Sequence, residues 1–398
     1  MAAEENKTQS GRLIPNADAL YERALGALAG GSSRTTVFVP PHPPYAVRGE
    51  GWRVFDLDGH ELIDLQCNYA SLVHGHAFAP AVNAAAAALA EGSAFGLPTP
   101  AEVEFAELLA QRLPWAPRWR FAGSGTEAVM MAVRAARAAS GRDGLLRFEG
   151  CYHGSWEGVV PHGSPGVPSA AQRDTVSVPV GDEPAFLAAL DEHGEQLACV
   201  LFDLMPNRAG LRPAASEFAA LVREQCTKRG IALVLDEIIT FRLGVGGLQE
   251  RYGIEGDLVL LGKVIGGGLP IGAIGGRDEW MEVFDPRRPE AVAHGGTFSA
   301  NPVSLRAGLA AVRALDAATI ERIDALGERL RAGLRELGCT VTGRGSLAKV
   351  HVADPVELWW RSYRAGVLIA GGGLMCVSTP MDDAVIDRAL AGFARALK

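Results

Sequence analysis

The amino-acid sequence predicts an α/β protein with a mostly parallel sheet in a large domain and a smaller α+β domain built from both ends of the chain. Between about residues 66 and 300, short apolar runs typical of fully buried strands alternate with helical segments, which is the pattern of a parallel sheet covered by helices. After Asn301 the order changes to helices followed by strands. With 398 residues, nearly half of them apolar, the chain is long enough for two domains with sizeable cores.

The N-terminal segment, residues 1–65, is predicted to pack with the C-terminal part of the chain. It is expected to hold one helix and two paired strands, at residues 17–29, 45–48 and 53–56. Asp58 and Gly59 form a dipeptide that favours a tight hairpin turn. The predicted domain division is therefore residues 1–65, 66–300 and 301–398.

The remaining elements follow from short apolar runs and from helical periodicity. In the large domain, strands are predicted at residues 119–122, 145–148, 198–203, 231–236, 258–261 and 272–275, with helices that include 127–139 and 217–229. In the smaller domain, two helices follow Asn301, and the elements after them are strands at 339–342 and 349–352, a helix at 356–365, a strand at 375–378 and a final helix from Asp382.

Composition and charge exclude several classes of protein. A net charge of −8 without a cluster of Lys and Arg argues against a nucleic-acid-binding surface. The N-terminus lacks the order of a signal peptide, and the alanine-rich residues 77–98 are too interrupted to span a membrane. Six cysteines without Cys-x-x-Cys spacing are typical of reduced thiols, and His74 and His76 lack a third metal ligand at suitable spacing. We expect a cytoplasmic protein without a metal.

Lys263 stands at the end of one apolar strand and directly before a flexible segment that contains three consecutive glycines. An amine in an apolar cleft loses its proton readily enough to act as a nucleophile. Asp236 ends the apolar run of residues 231–235, and ligands of open α/β sheets bind at the carboxyl ends of strands, so both side chains are expected to face one crevice. They could form an ion pair. They are also what pyridoxal phosphate needs, because a lysine binds its aldehyde as an imine and an aspartate keeps its pyridine nitrogen protonated.

Ser124, Gly125 and Thr126 connect a predicted strand to a predicted helix. Small residues let the backbone close around an anion, and the free N–H groups of a helix N-terminus bind it. A capping turn of this composition is common by itself. Followed by Asp236 and Lys263, it predicts a phosphate site.

Five ordered motifs then carry a family resemblance. They are Gly-Ser-Gly-Thr-Glu-Ala at 123–128, Gly-Cys-Tyr-His-Gly at 150–154, Leu-Asp-Glu-Ile-Ile-Thr at 235–240, Leu-Gly-Lys-Val-Ile-Gly-Gly-Gly-Leu-Pro at 261–270 and His-Gly-Gly-Thr-Phe-Ser-Ala-Asn-Pro at 294–302. In these motifs the chain resembles class III pyridoxal-phosphate aminotransferases of fold type I, in the branch of glutamate-1-semialdehyde aminomutases and β-amino-acid transaminases. The resemblance implies pyridoxal phosphate as cofactor, a large domain that binds it, and a homodimer with shared active sites.

The resemblance also implies a role for each matching residue. Lys263 holds the cofactor as a Schiff base and then moves the proton that transamination requires, while Asp236 pairs with the pyridinium nitrogen; Tyr152 is the third residue assigned to catalysis. The remaining cofactor contacts are Ile238 on one ring face, Tyr152 and His153 on the other, Ser124, Gly125 and Thr126 at the phosphate, and Thr297 from a second subunit.

The substrate side is less fully matched. Arg34 corresponds to the arginine that grips a substrate carboxylate in this branch, and Arg208 and Arg242 are rival anchors. Residues 203–208 depart from the usual Glu-Pro-x-x-Gly, because Asp203 shortens the carboxylate and Arg208 adds a cation. Gly123 stands where the family has Asn.

Three functions stay open. The segment after Gly154 is shorter than the gating loop of aminomutases, which favours an aminotransferase. Its substrate would be a carboxylate-bearing amino acid, and β-amino acids belong to this class. Residues 93–99 nevertheless resemble an aminomutase, and Gly371–Gly373 replace an arginine of β-phenylalanine transaminases. A glutamate-1-semialdehyde aminomutase-like isomerase is therefore the second hypothesis. A catalytically inactive protein that binds pyridoxal phosphate is the third.

Overall fold

The structure is a computed structural model that describes residues 13–398. These residues form two compact units. One consists of the described residues up to Phe78 together with Arg322–Lys398, and the other consists of Ala79–Glu321. The domain limits predicted at residues 65 and 300 remain a prediction.

The strands and longer helices are as follows. In chain order the strands are β1 Ala46–Glu50, β2 Arg53–Asp56, β3 Glu61–Asp64, β4 Arg118–Ala122, β5 Gly144–Phe148, β6 Thr175–Val178, β7 Leu197–Phe202, β8 Ala232–Asp236, β9 Leu258–Gly262, β10 Gly272–Gly276, β11 Thr340–Thr342, β12 Leu347–His351, β13 Val367–Leu368 and β14 Leu374–Cys376. The longer helices are Pro15–Leu25, Ala79–Glu91, Pro100–Arg112, Gly125–Ser140, Glu183–His193, Ser216–Arg229, Pro302–Ala314, Ala317–Glu336, Pro355–Arg364 and Asp383–Ala396. Within residues 13–398, no helix combines the length and the apolar character that a membrane span requires.

The larger unit contains a seven-stranded sheet in the order β4-β10-β9-β8-β7-β5-β6. All neighbouring strands from β9 to β6 run parallel, whereas β10 is antiparallel to both β9 and β4. The reversal has a simple cause, because residues 263–271 between β9 and β10 are fewer than the dozen or more that a parallel crossover needs. The predicted α/β fold class with a mostly parallel sheet is confirmed.

The helix Gly125–Ser140 packs one face against this sheet. Its buried positions, among them Ala128, Val129 and Ala132, join Val234 and Leu260 of the central strands in one apolar core. The helix starts at Ser124, whose side chain accepts a hydrogen bond from the Glu127 N–H, and ends at Gly141 in the left-handed conformation. This packing fixes the N-terminus of the helix at the carboxyl edge of the sheet.

The smaller unit contains two small sheets. One has the order β1-β2-β3-β13 and the other the order β11-β12-β14. The pairing of β1 with β2 is as predicted, but Asp58 and Gly59 lie between β2 and β3, so this turn leads into a strand that was not predicted. The first described helix ends at Leu25 rather than at residue 29, since Gly26 caps it.

Candidate active site

Lys263 follows β9 directly and begins a tight turn over Lys263–Gly266. Its φ angle is +48°, a left-handed conformation that is strained for a residue with a side chain. The turn is backed by the helix Pro302–Ala314, which approaches so closely that a Cβ on Gly308 would lie 2.1 Å from the Ile265 carbonyl oxygen. Burial lowers the pKa of the Lys263 amine, while the charges of Asp236 and Asp203 act in the opposite direction.

Asp236 ends β8, the strand parallel to β9, so the sheet brings it to the same edge as Lys263. One carboxylate oxygen accepts the Ile238 N–H at 3.1 Å. The other accepts a hydrogen bond from His153 Nδ1 at 2.6 Å. Both side chains are buried, so the carboxylate is held in one orientation.

His153 contacts Asp236, and its expected place at the cofactor ring stays a prediction. His153 was predicted to cover a cofactor ring face together with Tyr152, but its side chain is completely buried against Asp236. Its Nε2 atom has no hydrogen-bond partner among the described residues. The geometry therefore makes His153 a partner of the carboxylate and leaves Tyr152 alone as the exposed aromatic side chain of this motif.

The turn Ser124–Thr126 lies against the same group of residues. A Cβ on Gly125 would stand 2.8 Å from Ile238 Cδ1, and a Cβ on Gly262 would stand 3.5 Å from Ile238 Cγ2. Ile238 therefore bridges the helix N-terminus and the residue that precedes Lys263. The first N–H groups of a helix have no acceptor within it, so those of this helix are suited to bind an anion.

Tyr152 and Arg208 contact each other through the face of the tyrosine ring. The Tyr152 side chain is 42% exposed, and its hydroxyl lies 3.4 Å from Ser155 Oγ. The Arg208 guanidinium carbon lies 4.1 Å from the centre of the Tyr152 ring, close enough for a cation–π interaction. The cation that departs from the family motif is thus stacked on the aromatic ring that the resemblance places beside the cofactor.

Asp203 and Cys151 are buried near Asp236. Burial and the charge of Asp236 raise the pKa of Asp203 well above its ordinary value, and Lys263 only partly opposes this. Burial together with the two aspartates raises the pKa of the Cys151 thiol, which keeps the thiol protonated and unreactive. Asp203 therefore binds a proton more readily than a solvated aspartate does.

The other predicted site residues are less closely gathered. Arg242 is fully buried in the turn Thr240–Leu243, which makes it the least accessible of the three candidate anchors. Thr297 is exposed on the larger unit. Arg34 belongs to the smaller unit, where its side chain is exposed and donates a hydrogen bond to Asn68 Oδ1 at 3.0 Å.

Comparison with known proteins identifies the family. A family model described as aminotransferase class-III matches residues 38–397 of the chain. The chain belongs to this family.

Class-III aminotransferases with different names are similar to this chain. A glutamate-1-semialdehyde 2,1-aminomutase from Thermomicrobium roseum is 40% identical over 340 residues, which are 81% of this chain and 79% of the relative. A solved structure of a transaminase with PLP bound has a TM-score of 0.94 at 40% identity and covers 96% of this chain and 97% of its own. A β-phenylalanine aminotransferase from Variovorax paradoxus has a TM-score of 0.90 at 32% identity, covering 99% and 96%.

Two features of this class-III site could not be predicted from the sequence. The bond between His153 and Asp236 joins residues that are 83 positions apart, and no local pattern announces it. The sequence did mark Asp203 as a shortened carboxylate, but its raised pKa depends on its burial and on the proximity of Asp236 in the fold.

The raised pKa of Asp203 predicts a pH-dependent stability. Above the ordinary pKa of 3.8, the folded protein keeps a proton on Asp203 that the unfolded chain has lost. The free energy of unfolding should therefore fall as pH rises, by about 1.4 kcal/mol per pH unit, until the folded pKa is passed. Asp203→Asn retains the oxygen that accepts the Met205 N–H and removes this dependence.

We expect cofactor-free Asp203→Asn protein to gain stability over the unsubstituted protein as pH rises from about 4.5 to 8. Urea unfolding at several pH values measures the difference. Asp143→Asn, a substitution at an exposed position, is the control and should follow the unsubstituted protein. Parallel pH profiles for Asp203→Asn and the unsubstituted protein would contradict the raised pKa.

Proposed function

We propose that this chain is a pyridoxal-phosphate-dependent aminotransferase that moves an amino group between a carboxylate-bearing amino acid and a keto acid or aldehyde. The observation that carries the proposal is the meeting of three features at one sheet edge. They are the strained Lys263 with its lowered amine pKa, the buried and oriented Asp236, and a helix N-terminus that touches the same Ile238 side chain.

The residues at this edge fit the chemistry of pyridoxal phosphate. The N–H groups at Gly125 and Thr126, with the Ser124 and Thr126 hydroxyls, suit its phosphate. Ile238 and Tyr152 offer an apolar and an aromatic surface to its ring, and Asp236 offers a negative charge to its pyridine nitrogen. When bound, the cofactor withdraws electrons from the amino-bearing carbon of the substrate, so that this carbon can release a proton.

Lys263 is the residue that we assign to covalent attachment and proton transfer. Because burial lowers the pKa of its amine, a larger neutral fraction is available to accept a proton than for a solvated lysine. The Asp236 carboxylate accepts hydrogen bonds from His153 and the Ile238 N–H, which hold it in one orientation.

A second candidate function is an aminomutase, favoured by the 40% identity to the Thermomicrobium roseum protein of that name. The net reaction of an aminomutase moves an amino group between two carbons of one carbon skeleton and needs no separate acceptor, whereas an aminotransferase passes the amino group to a different keto acid or aldehyde. A ¹⁵N-labelled donor mixed with an unlabelled keto acid separates the two, because only an aminotransferase places the label on the acceptor. An inactive protein would transfer no label in either way, and the retained Lys263 and Asp236 argue against it.

We also propose a homodimer in which Thr297 contributes to the cofactor site of the partner subunit. Thr297 lines an open cleft of about 440 Å³ on the larger unit. Three large apolar side chains at or near this cleft are mostly exposed, namely Phe95, Leu97 and Phe298 at 53%, 77% and 63%. Clustered apolar exposure of this kind is typical of a surface that binds another protein, and a second copy of the chain is the proposed occupant.

The attachment site predicts a covalent label. Borohydride reduction of the yellow, cofactor-loaded protein should fix pyridoxal phosphate to Lys263, because this lysine combines a lowered pKa with proximity to Asp236. Mass spectrometry of the digested protein identifies the labelled residue. Lys349, whose amine pKa is also lowered by burial, is the internal control. A label on Lys349 or on no lysine would overturn the assignment.

The shared site predicts complementation between two inactive variants. Lys263→Ala lacks the attachment lysine, and Thr297→Glu places a negative charge where the phosphate would bind, so each homodimer should lose at least 99% of its activity, on the order of 3 kcal/mol. Mixing them under conditions of subunit exchange should restore activity, because a mixed dimer contains one intact site. Restoration is measured by transamination, with exchange verified by differently tagged subunits. Verified exchange without restored activity would place Thr297 in the site of its own subunit or outside any site.

The substrate carboxylate predicts a selective effect of Arg34→Ala. Removing the guanidinium should raise KM for carboxylated donors. The lost binding free energy should be ~1.5–3 kcal/mol, the range for a hydrogen bond to a charged group. KM for amines that lack the carboxylate should change little. Arg208→Ala is the matched comparison and should have the smaller effect. If carboxylated donors and simple amines suffer equally from Arg34→Ala, or if only Arg208→Ala discriminates, Arg34 is not the anchor.

A further inference from the structure

The smaller unit contains a turn with an unusual backbone. Cys67, Asn68, Tyr69 and Ala70 have φ angles of +45°, +46°, +56° and +68°, so four consecutive residues other than glycine are left-handed. This conformation costs roughly 1–2 kcal/mol per residue. Strain of this kind persists only where surrounding contacts impose it, and it is concentrated at functional sites.

Asp64 imposes the start of the turn. One oxygen of its buried carboxylate accepts the N–H groups of Gln66 and Cys67, each at 2.8 Å. The other oxygen lies 2.7 Å from His76 Nε2, which fixes the carboxylate from its far side. The Cys67 thiol donates to the Asp64 carbonyl at 3.2 Å. The turn is therefore anchored to the sheet through β3.

The turn directs its next two residues to the segment that holds Arg34. Asn68 Oδ1 accepts a hydrogen bond from Arg34 Nη1 at 3.0 Å. The Arg34 guanidinium carbon lies 5.8 Å from the centre of the Tyr69 ring. The Tyr69 hydroxyl donates to the Thr36 carbonyl. One exposed guanidinium is thus held by an amide and an aromatic face, and the backbone beside it is fixed by the same tyrosine.

The chemistry of these contacts leaves Arg34 able to bind an anion. Asn68 is a neutral acceptor, so it orients the guanidinium without cancelling its charge, as an aspartate would. A guanidinium has five N–H groups, and those not used by Asn68 can meet a carboxylate in the paired geometry that arginine favours. Because the side chain is ordered before binding, less conformational entropy is lost when the anion arrives.

We propose that Asn68 is a positioning residue, which orients the Arg34 guanidinium and thereby sets the preference for carboxylated amino donors over simple amines. Tyr69 supports the same orientation through its ring. The inference rests on the proposed role of Arg34 in binding the substrate carboxylate. It adds the left-handed turn Cys67–Ala70 as the element that determines this specificity.

The test uses Asn68→Gly and Asn68→Asp in the cofactor-loaded enzyme. Glycine adopts a φ of +46° without strain and removes only the acceptor. We expect KM for carboxylated donors to rise roughly tenfold, with KM for amines lacking the carboxylate and kcat for both classes changed less than about twofold. Aspartate keeps the shape and tolerates the left-handed backbone, but its charge would compete with the substrate for Arg34, so KM for carboxylated donors should rise further.

The control is Ala77→Gly, which also replaces a left-handed residue of the same unit, with a φ of +52°, and should leave both classes of donor unaffected. Thermal unfolding verifies that each variant is folded. If Arg34→Ala discriminates between the two classes of donor but neither Asn68 variant does, the positioning role is overturned and the proposed function stands. If Arg34→Ala itself does not discriminate, the carboxylate anchor fails and the role of Asn68 fails with it. An unchanged or lower KM for carboxylated donors in Asn68→Asp would also overturn the proposal.

Discussion

A buried carboxylate at the carboxyl edge of the seven-stranded sheet is the constraint on which the rest of the site depends. A buried carboxylate such as that of Asp236 is costly unless it is paired and hydrogen-bonded. His153 and the Ile238 N–H donate hydrogen bonds to Asp236, and the Lys263 amine is near enough to interact electrostatically with it. Burial, together with the charge of Asp236, raises the pKa values of Asp203 and of the Cys151 thiol. The position of Asp236 thus contributes to the pKa shifts of its buried neighbours.

Close backbone packing holds these side chains in position. A Cβ on Gly272 would lie 2.0 Å from the Ser124 carbonyl oxygen, and a Cβ on Gly154 would lie 2.5 Å from Thr126 Oγ1. Strand β10 and the segment that carries Tyr152 can therefore approach the helix N-terminus only because these positions have no side chain. Because β10 runs antiparallel to β9, its first residue, Gly272, pairs with Gly262 and lies at the same sheet edge as Lys263.

The smaller unit also contains a buried carboxylate, Asp64, but this one stabilises a turn of the backbone. The role proposed for Arg34, binding a substrate carboxylate, needs a guanidinium whose orientation is fixed but whose charge is not neutralised. Asp64 stabilises a strained turn, and the turn presents a neutral amide and an aromatic ring to Arg34. In the larger unit, buried carboxylates tune protonation. In the smaller unit, a buried carboxylate shapes the backbone, and the group that accepts the hydrogen bond from Arg34 is a neutral amide.

The sequence by itself determined the α/β class, the placement of Lys263 and Asp236 at strand ends, and the capping turn at Ser124. These features follow from local patterns: apolar runs of strand length, the change of period from strand to helix, and small residues before a helix. The family followed from the order of the motifs. Strands such as β13, with two residues, and β6, with a mixed burial pattern, carry too little periodicity to be predicted.

Only the tertiary structure decided how these residues are used. The bond from His153 to Asp236 and the bond from Arg34 to Asn68 join positions 83 and 34 residues apart, and neither partner's neighbourhood in the sequence specifies the other. The complete burial of Arg242, the raised pKa of Asp203 and the strained turn Cys67–Ala70 likewise arise from packing. Local sequence encodes which chemical groups are present, whereas their charge and orientation depend on distances and burial that exist only after the chain has folded.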